Sequence, residues 1–473
     1  MVELNMDIIY LILKELKNNK KAFCSCLLVN KSWSKIIIPF LWKNPWKYLE
    51  KAENEKLFLN VIISHLSDDS RDKLIQHTNF LKSSYRKPLF DYISFCKHLN
   101  LNETERIVKT IVNEKKEIPI IINILLNLFI NENRNYTHLY IPRQFDYKIH
   151  LIPGAKDCFA ELQSLCCHTF INDYIFIGLA EIFKSIKELS LFIGFLDYNY
   201  GIIKLIENQK NLIDIRLIYY YLRVDEIFFK IIDSNNLQKV FKLNKRLITG
   251  VVSFFVNLKC LELNDTLRYM PWDGLENSSL PFLQVLRATG IPVKVLTSLI
   301  ENTNGLLNEI KIEDVVYDDI NNKIFIQAIY KNCPNLKYLK LLVKNCNILE
   351  LEILLIKCQY LNGLFLLFDS QEFSDNQRNN YDDLFKILTK SSPTNLFKFK
   401  FGFNFSFNFN FKSDSLKLFF DNWKGRHPML LQFPSDDYYD SYNIMEKYKA
   451  EGIIKRYDDK TYYEDFEWIE KNS

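Results

Sequence analysis

The sequence predicts an α/β fold, in which a helical N-terminal region precedes a solenoid of strand–helix units whose strands form one parallel sheet. Three observations lead there. A six-residue unit, apolar-x-x-apolar-x-apolar, recurs from Tyr136 onward, with starts mostly 21 to 29 residues apart. Helical stretches such as Ile202 to Asn208, Ile324 to Asn332 and Leu384 to Lys390 follow the units. The first 135 residues place their apolar residues mainly at helical spacing.

The bulk properties fit a large folded chain. Its 473 residues suffice for about three average domains or one long repeat array. A hydrophobic content of 48% with 25% charged residues excludes wholesale disorder. Lys and Arg number 61 against 57 Asp and Glu, so the net charge of +4 is no nucleic-acid footprint. Residues 1–50 are locally basic, and the tail after Pro434 is acidic and rich in Tyr. The most apolar run, Ile118 to Ile130, is interrupted by Pro119, Asn123 and Asn127 and is shorter than the about 20 residues a membrane helix needs. The run Ile8 to Leu13 is too short for a secretory signal. No membrane partner is expected, and ten scattered cysteines suit reduced thiols in the cytoplasm or nucleus.

Spacing removes most enzyme motifs. The two closest glycines are Gly194 and Gly201, which excludes phosphate-cradling loops and nucleophile elbows. No two histidines lie within five positions, and the cysteine pairs Cys24/Cys26 and Cys166/Cys167 lack the gap of zinc knuckles and redox dithiols. Only a triad assembled by the fold stays open, with seven histidines to build it. The expectation is no enzyme, no cofactor and no metal. Cys24, Cys26, Cys166 and Cys167 lie among Leu, Phe and Val and read as buried structural thiols. His138 and His168 read as equivalent positions of successive repeats, either surface histidines or a metal pair.

In chain order, residues 4–16 (LNMDIIYLILKEL) form a first helix, with Asn5 as a cap and Asp7 suiting the helix dipole. Lys17 to Lys21 ends it, a second helix covers Ala22 to Val29, and a third runs from Lys31 to Ile38 and stops at Pro39. Three short helices can hardly bury enough apolar surface alone, so a partner is implied. The run SCLLVNKSWSKIIIPFLW, Ser25 to Trp42, placed after an amphipathic helix, resembles an F-box. Leu4, Ile8, Ile9, Ile12, Leu16, Cys26, Leu28, Val29, Asn30, Lys31, Trp33, Leu41 and Trp42 fit that pattern, and Asn5 stands where the family has Pro. The match is closest to fungal F-box proteins. It implies docking to a Skp-type adaptor, and through it to a cullin–RING ligase, by Leu4, Asn5, Ile8, Ile9, Ile12, Leu27, Val29 and Trp33.

Residues 48–135 read as a helical linker: Leu57 to Leu66, Asp68 to Leu81, Tyr92 to Leu99, Glu103 to Glu114 and Pro119 to Ile130, with caps at Ser67-Asp68-Asp69 and Asn102. Residues 136–433 carry the units. They include Tyr136/Leu139/Ile141, Leu162/Leu165/Cys167, Ile186/Leu189/Leu191 and Leu212/Ile215/Leu217. Further copies are Leu258/Leu261/Leu263, Leu283/Leu286/Ala288, Leu307/Ile310/Ile312 and Leu336/Leu339/Leu341, with weaker ones from Leu237, Leu361, Leu396 and Leu430. The period is that of leucine-rich repeats, whose stacking joins the Leu rows into one core. The rival is a non-repeat α/β domain. Residues 434–473 read as an acidic cap. The whole resembles the F-box/leucine-rich-repeat receptors: a three-helix F-box, a helical linker and an irregular leucine-rich-repeat-like solenoid. The resemblance implies the substrate-recognition subunit of an SCF-type ubiquitin ligase. The competing reading is a non-catalytic repeat scaffold without a ubiquitin role.

Two features of the repeats invite functional readings. Phe397 to Phe411 alternates Phe at every second position, as a core strand or as an aromatic groove. The outward column of the middle strands reads Arg216, Glu262, Arg287, Lys311 and Lys340. Arg287, Lys311 and Lys340 are expected either to grip an acidic or phosphorylated substrate segment, or to pair with Glu309 and Glu313 as a solvated face.

Overall fold

A strand with apolar residues at every second position is one-sided, and it needs a helix layer to cover the apolar side. The structure, a computed structural model, builds most of the described repeats that way. It describes residues 5–16, 25–49, 52–77, 88–112, 114–194, 200–219, 257–265, 268, 272–315, 318–369, 380–404, 413–432 and 438–458. The chain divides into two compact units, Met1–Leu212 and Ile213–Ser473.

Among the described residues the first unit opens with the helices α1 (Met6–Leu16), α2 (Lys31–Lys43), α3 (Ala52–Ile63) and α4 (Asp68–His77), and Ser25 and Cys26 are helical as well. It continues through β1 (His98–Asn100), α5 (Leu101–Ile111), α6 (Ile118–Phe129), β2 (His138–Tyr140), the single turn α7 (Ala155–Cys158) and β3 (Ser164–His168). It ends with α8 (Asp173–Ile182), β4 (Glu188–Ile193) and α9 (Tyr200–Glu207). Strands β1 to β4 pair in parallel, in sequence order.

The second unit begins with β5 (Asp214–Tyr219), β6 (Cys260–Asn264), β7 (Val285–Thr289), α10 (Val293–Glu301), β8 (Glu309–Glu313) and α11 (Asp319–Asn332). Next come β9 (Tyr338–Leu342), α12 (Ile348–Lys357), β10 (Gly363–Asp369), α13 (Asn380–Ser391) and β11 (Lys398–Asn404). The last elements are α14 (Ser413–Asn422), β12 (Met429–Gln432), α15 (Tyr438–Ala450) and β13 (Ile454–Asp458). Its nine described strands are again parallel and in sequence order.

This is an α/β, leucine-rich-repeat-like solenoid of irregular repeats. The eight strong copies place all three of their apolar positions in the core. Leu261, Leu286, Ile310, Leu339 and Leu364 stand in one register row across β6 to β10. Between repeats the chain enters each strand through a matching main-chain bond. Gln284, Asn308, Lys337 and Asn362 donate to the carbonyls of Lys259, Gln284, Asn308 and Lys337, each at 2.8 Å. Buried polar side chains bond to main chain: Asn322 donates to the Leu342 carbonyl at 2.9 Å, and Gln209 donates to that of Phe183 at 2.8 Å.

The structure corrects several expectations. The helix expected to stop at Pro39 runs on to Lys43, with Pro39 inside it. The ring costs one helical hydrogen bond, but Phe40 and Leu41 pack on the apolar cluster beyond it and hold the last turn. The helix expected over Tyr92 to Leu99 is a short 3-10 turn, Tyr92–Phe95, followed by β1, so the sheet starts inside the segment read as linker. Asn100, rather than Asn102, caps α5, its side chain accepting the Glu103 N–H at 3.0 Å. The Ser67 hydroxyl does accept the Ser70 N–H, at 3.3 Å. His138 stands opposite Ser164, four residues before His168, so those two histidines are not equivalent. The copy read from Leu430 is off by register, because Leu431 pairs with the core residue Phe399 and Leu430 faces outward. The tail read as a cap contributes α15 and β13, with Ile453 and Ile454 buried. In the Phe-rich stretch, Phe399 and Phe401 are core; residues 405–411 lie outside the described residues, as do Leu4, Cys24 and Leu237.

Candidate protein-interaction surfaces

The N-terminal helices close around two isoleucines. Ile9 and Ile37 are buried, with Leu16, Cys26, Leu27, Trp33, Ile36, Phe40 and Leu41 packed against them. Helix α1 starts where the Asn5 carbonyl accepts the N–H groups of Ile8 and Ile9, at 3.0 and 3.1 Å. Helix α2 starts at Asn30, whose side chain accepts the Trp33 N–H at 2.9 Å. The Ser34 hydroxyl donates to the Leu27 carbonyl at 2.8 Å and pins the preceding turn.

The expected docking residues separate by this packing. Ile9, at 2% exposure, is interior and supports the module from within. Ile12 is half-buried, and Leu27 and Trp33 lean on the cluster. Ile8 and Val29 are exposed as expected, and Tyr10, Leu11 and Leu28 are exposed beside them in sequence. The helical period could have separated Ile9 from Ile8 and Leu11, but the unbroken apolar run from Ile8 to Leu13 hides which residue points inward.

At the base of the module Trp42, singled out in the sequence, meets Phe58 and Tyr92, and Trp46 joins them; sequence reasoning missed Phe58, Tyr92 and Trp46. The Trp42 ring stacks on Phe58 and contacts Tyr92, with centroids 5.6 and 4.8 Å apart. Trp46 meets Phe58 and Phe129 edge-on, and its Nε1–H donates to the His98 carbonyl at 2.7 Å. The Lys97 N–H donates to the Lys43 carbonyl at 2.9 Å. These contacts tie the end of α2 to β1. The signal for Trp46 was the Pro45 that starts its 3-10 turn.

The outward face of β1 to β4 is aromatic and uncharged along much of its length. The rings of His98 and His138 stack with centroids 3.8 Å apart, and His168 stacks on Phe192 at 4.7 Å. Burial pushes His98 down to about 4, with His138, Lys47 and Lys43 adding to the effect. Burial and the nearby Arg143 push His168 to about 4 as well. Among the described residues, no group of three or more potential ligands could hold a metal ion. Cys167 is fully buried and its thiol is pushed well up, whereas Cys26 and Cys166 are half-buried.

On the second unit the column Arg216, Glu262, Arg287, Lys311 and Lys340 is in register as expected, and it continues to Phe365 and Lys400. Its cations have acidic neighbours on the same face. Arg287 Nε lies 2.8 Å from Glu309, which also sits 3.4 Å from Lys311 Nζ. Glu262 stands 3.5 Å from Arg216 and 4.0 Å from Arg287. Lys340 pairs with Glu313, and its ammonium lies 4.3 Å from the Phe365 ring centre. The three adjacent cations are balanced by Glu262, Glu309 and Glu313, so the face is a ladder of ion pairs. Arg287 is its most accessible member of the three expected contacts, with 36% of its side chain exposed.

No family model matches the chain, and no curated protein matches it in sequence. Among solved structures it is similar to the leucine-rich repeat-containing protein LegL7 from Legionella pneumophila, at 15% identity and a TM-score of 0.33, over 60% of this chain and 83% of that one. A protein from Bacteroides fragilis is similar at 12% identity and a TM-score of 0.30, over 60% of this chain and 68% of that one. The repeat assignment stands on the strand register and the buried rows. Among the described residues, no helix is long and apolar enough to cross a membrane.

Proposed function

We propose that the chain is the substrate-recognition subunit of an SCF-type cullin–RING ubiquitin ligase, acting in the cytoplasm or nucleus and performing no chemistry itself. Its N-terminal helices dock a Skp-type adaptor, and its repeats hold a protein substrate. One observation carries the reading: a small helical module completes its own core around Ile9 and Ile37 yet leaves Ile8, Leu11, Leu28 and Val29 in solvent. A module with a finished core gains nothing from such residues unless a partner covers them. The F-box-like residues supply that partner's class, and the aromatic contacts at Trp42 and Trp46 would carry its position to the repeats.

Substrate contact is assigned to the charged ladder around Arg287 and Lys311; Lys340, only 6% exposed, is held by Glu313 and braces the ladder from within. A substrate carboxylate or phosphate would compete there with Glu262, Glu309 and Glu313, which favours selectivity over raw affinity. Asn5 at the position of the family's Pro favours a second reading, a repeat scaffold without a ubiquitin role. Affinity purification of the full chain from cells separates the two. The ligase reading expects the Skp-type adaptor and a cullin to be recovered. It also expects Ile8→Asp with Val29→Asp to lose both while retaining the substrate. Substrate recovery without adaptor or cullin from the unaltered chain supports the scaffold.

A further inference from the structure

The outward column of the second unit changes character along the sheet. On β5 and β7, Arg216 and Arg287 keep 44% and 36% of their side chains exposed. From β9 onward the same face is closed. Lys340, Phe365 and Lys400 continue the column and are buried, Lys400 to 2% exposure, and Leu342, Leu367 and Lys398 beside them are buried too. The ammonium groups of Lys340 and Lys400 lie 4.3 and 4.7 Å from the Phe365 ring centre. Gly402 lets that ring approach the strand, since a Cβ there would sit 3.0 Å from Phe365 and 3.2 Å from Leu367. Glu313 pairs with Lys340, and each of the three lysines makes further contacts as well. An outward face closed to this degree has a cover, and buried ammonium groups need anions beside them.

Charge and reach indicate the cover. Strand β13 ends at Asp458, beside β12, and 15 residues follow it, 459–473. Within them Glu464 to Glu470 reads EDFEWIE, four carboxylates interleaved with Phe466, Trp468 and Ile469 and no cation. That composition complements a face of lysines and apolar side chains. Segments closer in sequence lack it: residues 370–379 hold two acids and an arginine, and residues 405–412 hold one lysine and no acid. From β13 to β9 is four strand spacings, about 19 Å at about 4.8 Å each. About six extended residues at about 3.3 Å each span that distance, so Glu464 to Glu470 can reach across the face. We infer that this segment docks on the outward face of β9 to β12, its carboxylates against Lys340, Lys398 and Lys400 and its apolar residues on Phe365 and Leu367. The segment is then a built-in occupant of this half of the column. An acidic partner must displace it there, while Arg287 stays open. The inference is independent of the proposed ubiquitin role.

Carbodiimide coupling of the 473-residue chain, read by mass spectrometry, tests this. The reagent activates a carboxylate, and an adjacent lysine amine displaces the urea to leave an amide, so only neighbouring groups are joined. Links from Glu464, Asp465, Glu467 or Glu470 to Lys340, Lys398 or Lys400 are expected. Acetylation of amines in the native chain gives a second measurement. Lys398 and Lys400 should react far more slowly than the exposed Lys386. Glu464→Lys with Asp465→Lys and Glu467→Lys should speed both by about tenfold or more and leave Lys386 unchanged, with circular dichroism confirming the fold. The inference is overturned if none of the three lysines links to a carboxylate of the segment. It is overturned equally if Lys398 and Lys400 react as fast as Lys386 in the unaltered chain, or stay protected in the folded triple variant.

Discussion

Leu339→Ala tests the repeat register at its centre. Leu339 is fully buried and stands between Ile310 of β8 and Leu364 of β10 in the core row, both also fully buried. Truncation removes three carbons, worth about 2.4 kcal/mol at about 0.8 kcal/mol per buried carbon group. The cavity left between fixed neighbours brings the total into the range of about 2.7–5 kcal/mol. Lys311→Ala, one strand away on the opposite face, removes a partly exposed ion pair and should cost about 0–1 kcal/mol. Urea denaturation followed by circular dichroism gives both values, and hydrogen exchange localises the loss to β8–β10. The reasoning is refuted if Leu339→Ala costs no more than Lys311→Ala. A slip of one residue would put Lys311 in the core and Leu339 in solvent.

Stability should fall as pH is lowered from about 6.5 to about 4. The unfolded chain takes up protons on His98 and His168 near 6.5, while the folded chain resists until about 4, so the unfolded state binds more protons across that window. His98→Gln with His168→Gln should flatten this part of the curve of melting temperature against pH, and an unchanged curve would remove the histidines from the explanation. Arg287→Glu, placed beside Glu262 and Glu309, should abolish substrate recovery and spare adaptor binding; full recovery would return the ladder to an ordinary solvated face. Native-state labelling with a thiol reagent should modify the exposed Cys346 and spare Cys96, Cys158 and Cys358, whose thiols burial pushes up to about 12. Rapid labelling of those three would contradict their burial.

The repeats were legible because their signal is periodic and redundant. Each Leu row is written once per strand, so even a weak copy such as Leu361 is located by its neighbours. Leu430 was misplaced because Met429, Leu430 and Leu431 are all apolar and only the pairing with Phe399 sets the register. What sequence reasoning missed depends on contacts between distant residues. Pro39 stays inside α2 because of packing beyond it, and Tyr92 to Leu99 reads as a helix until His98 pairs with His138. Ile9 could not be told from Ile8 without the position of Ile37. The basic stripe stands in the register read from the sequence, and its pairing with Glu309 and Glu313 was one of the two readings offered there; the place of Glu262 between Arg216 and Arg287 as a shared partner was not.

Calorimetric titration of the purified full chain with a purified Skp-type adaptor tests the adaptor-docking proposal most directly. Saturable one-to-one binding is expected. Ile8→Asp with Val29→Asp should abolish it, since each aliphatic side chain buried on docking contributes at most about 1.5–3 kcal/mol. Both positions are exposed, so the repeats should melt as in the unaltered chain. No heat of binding from the unaltered chain, or undiminished binding by the double variant, would contradict the proposal.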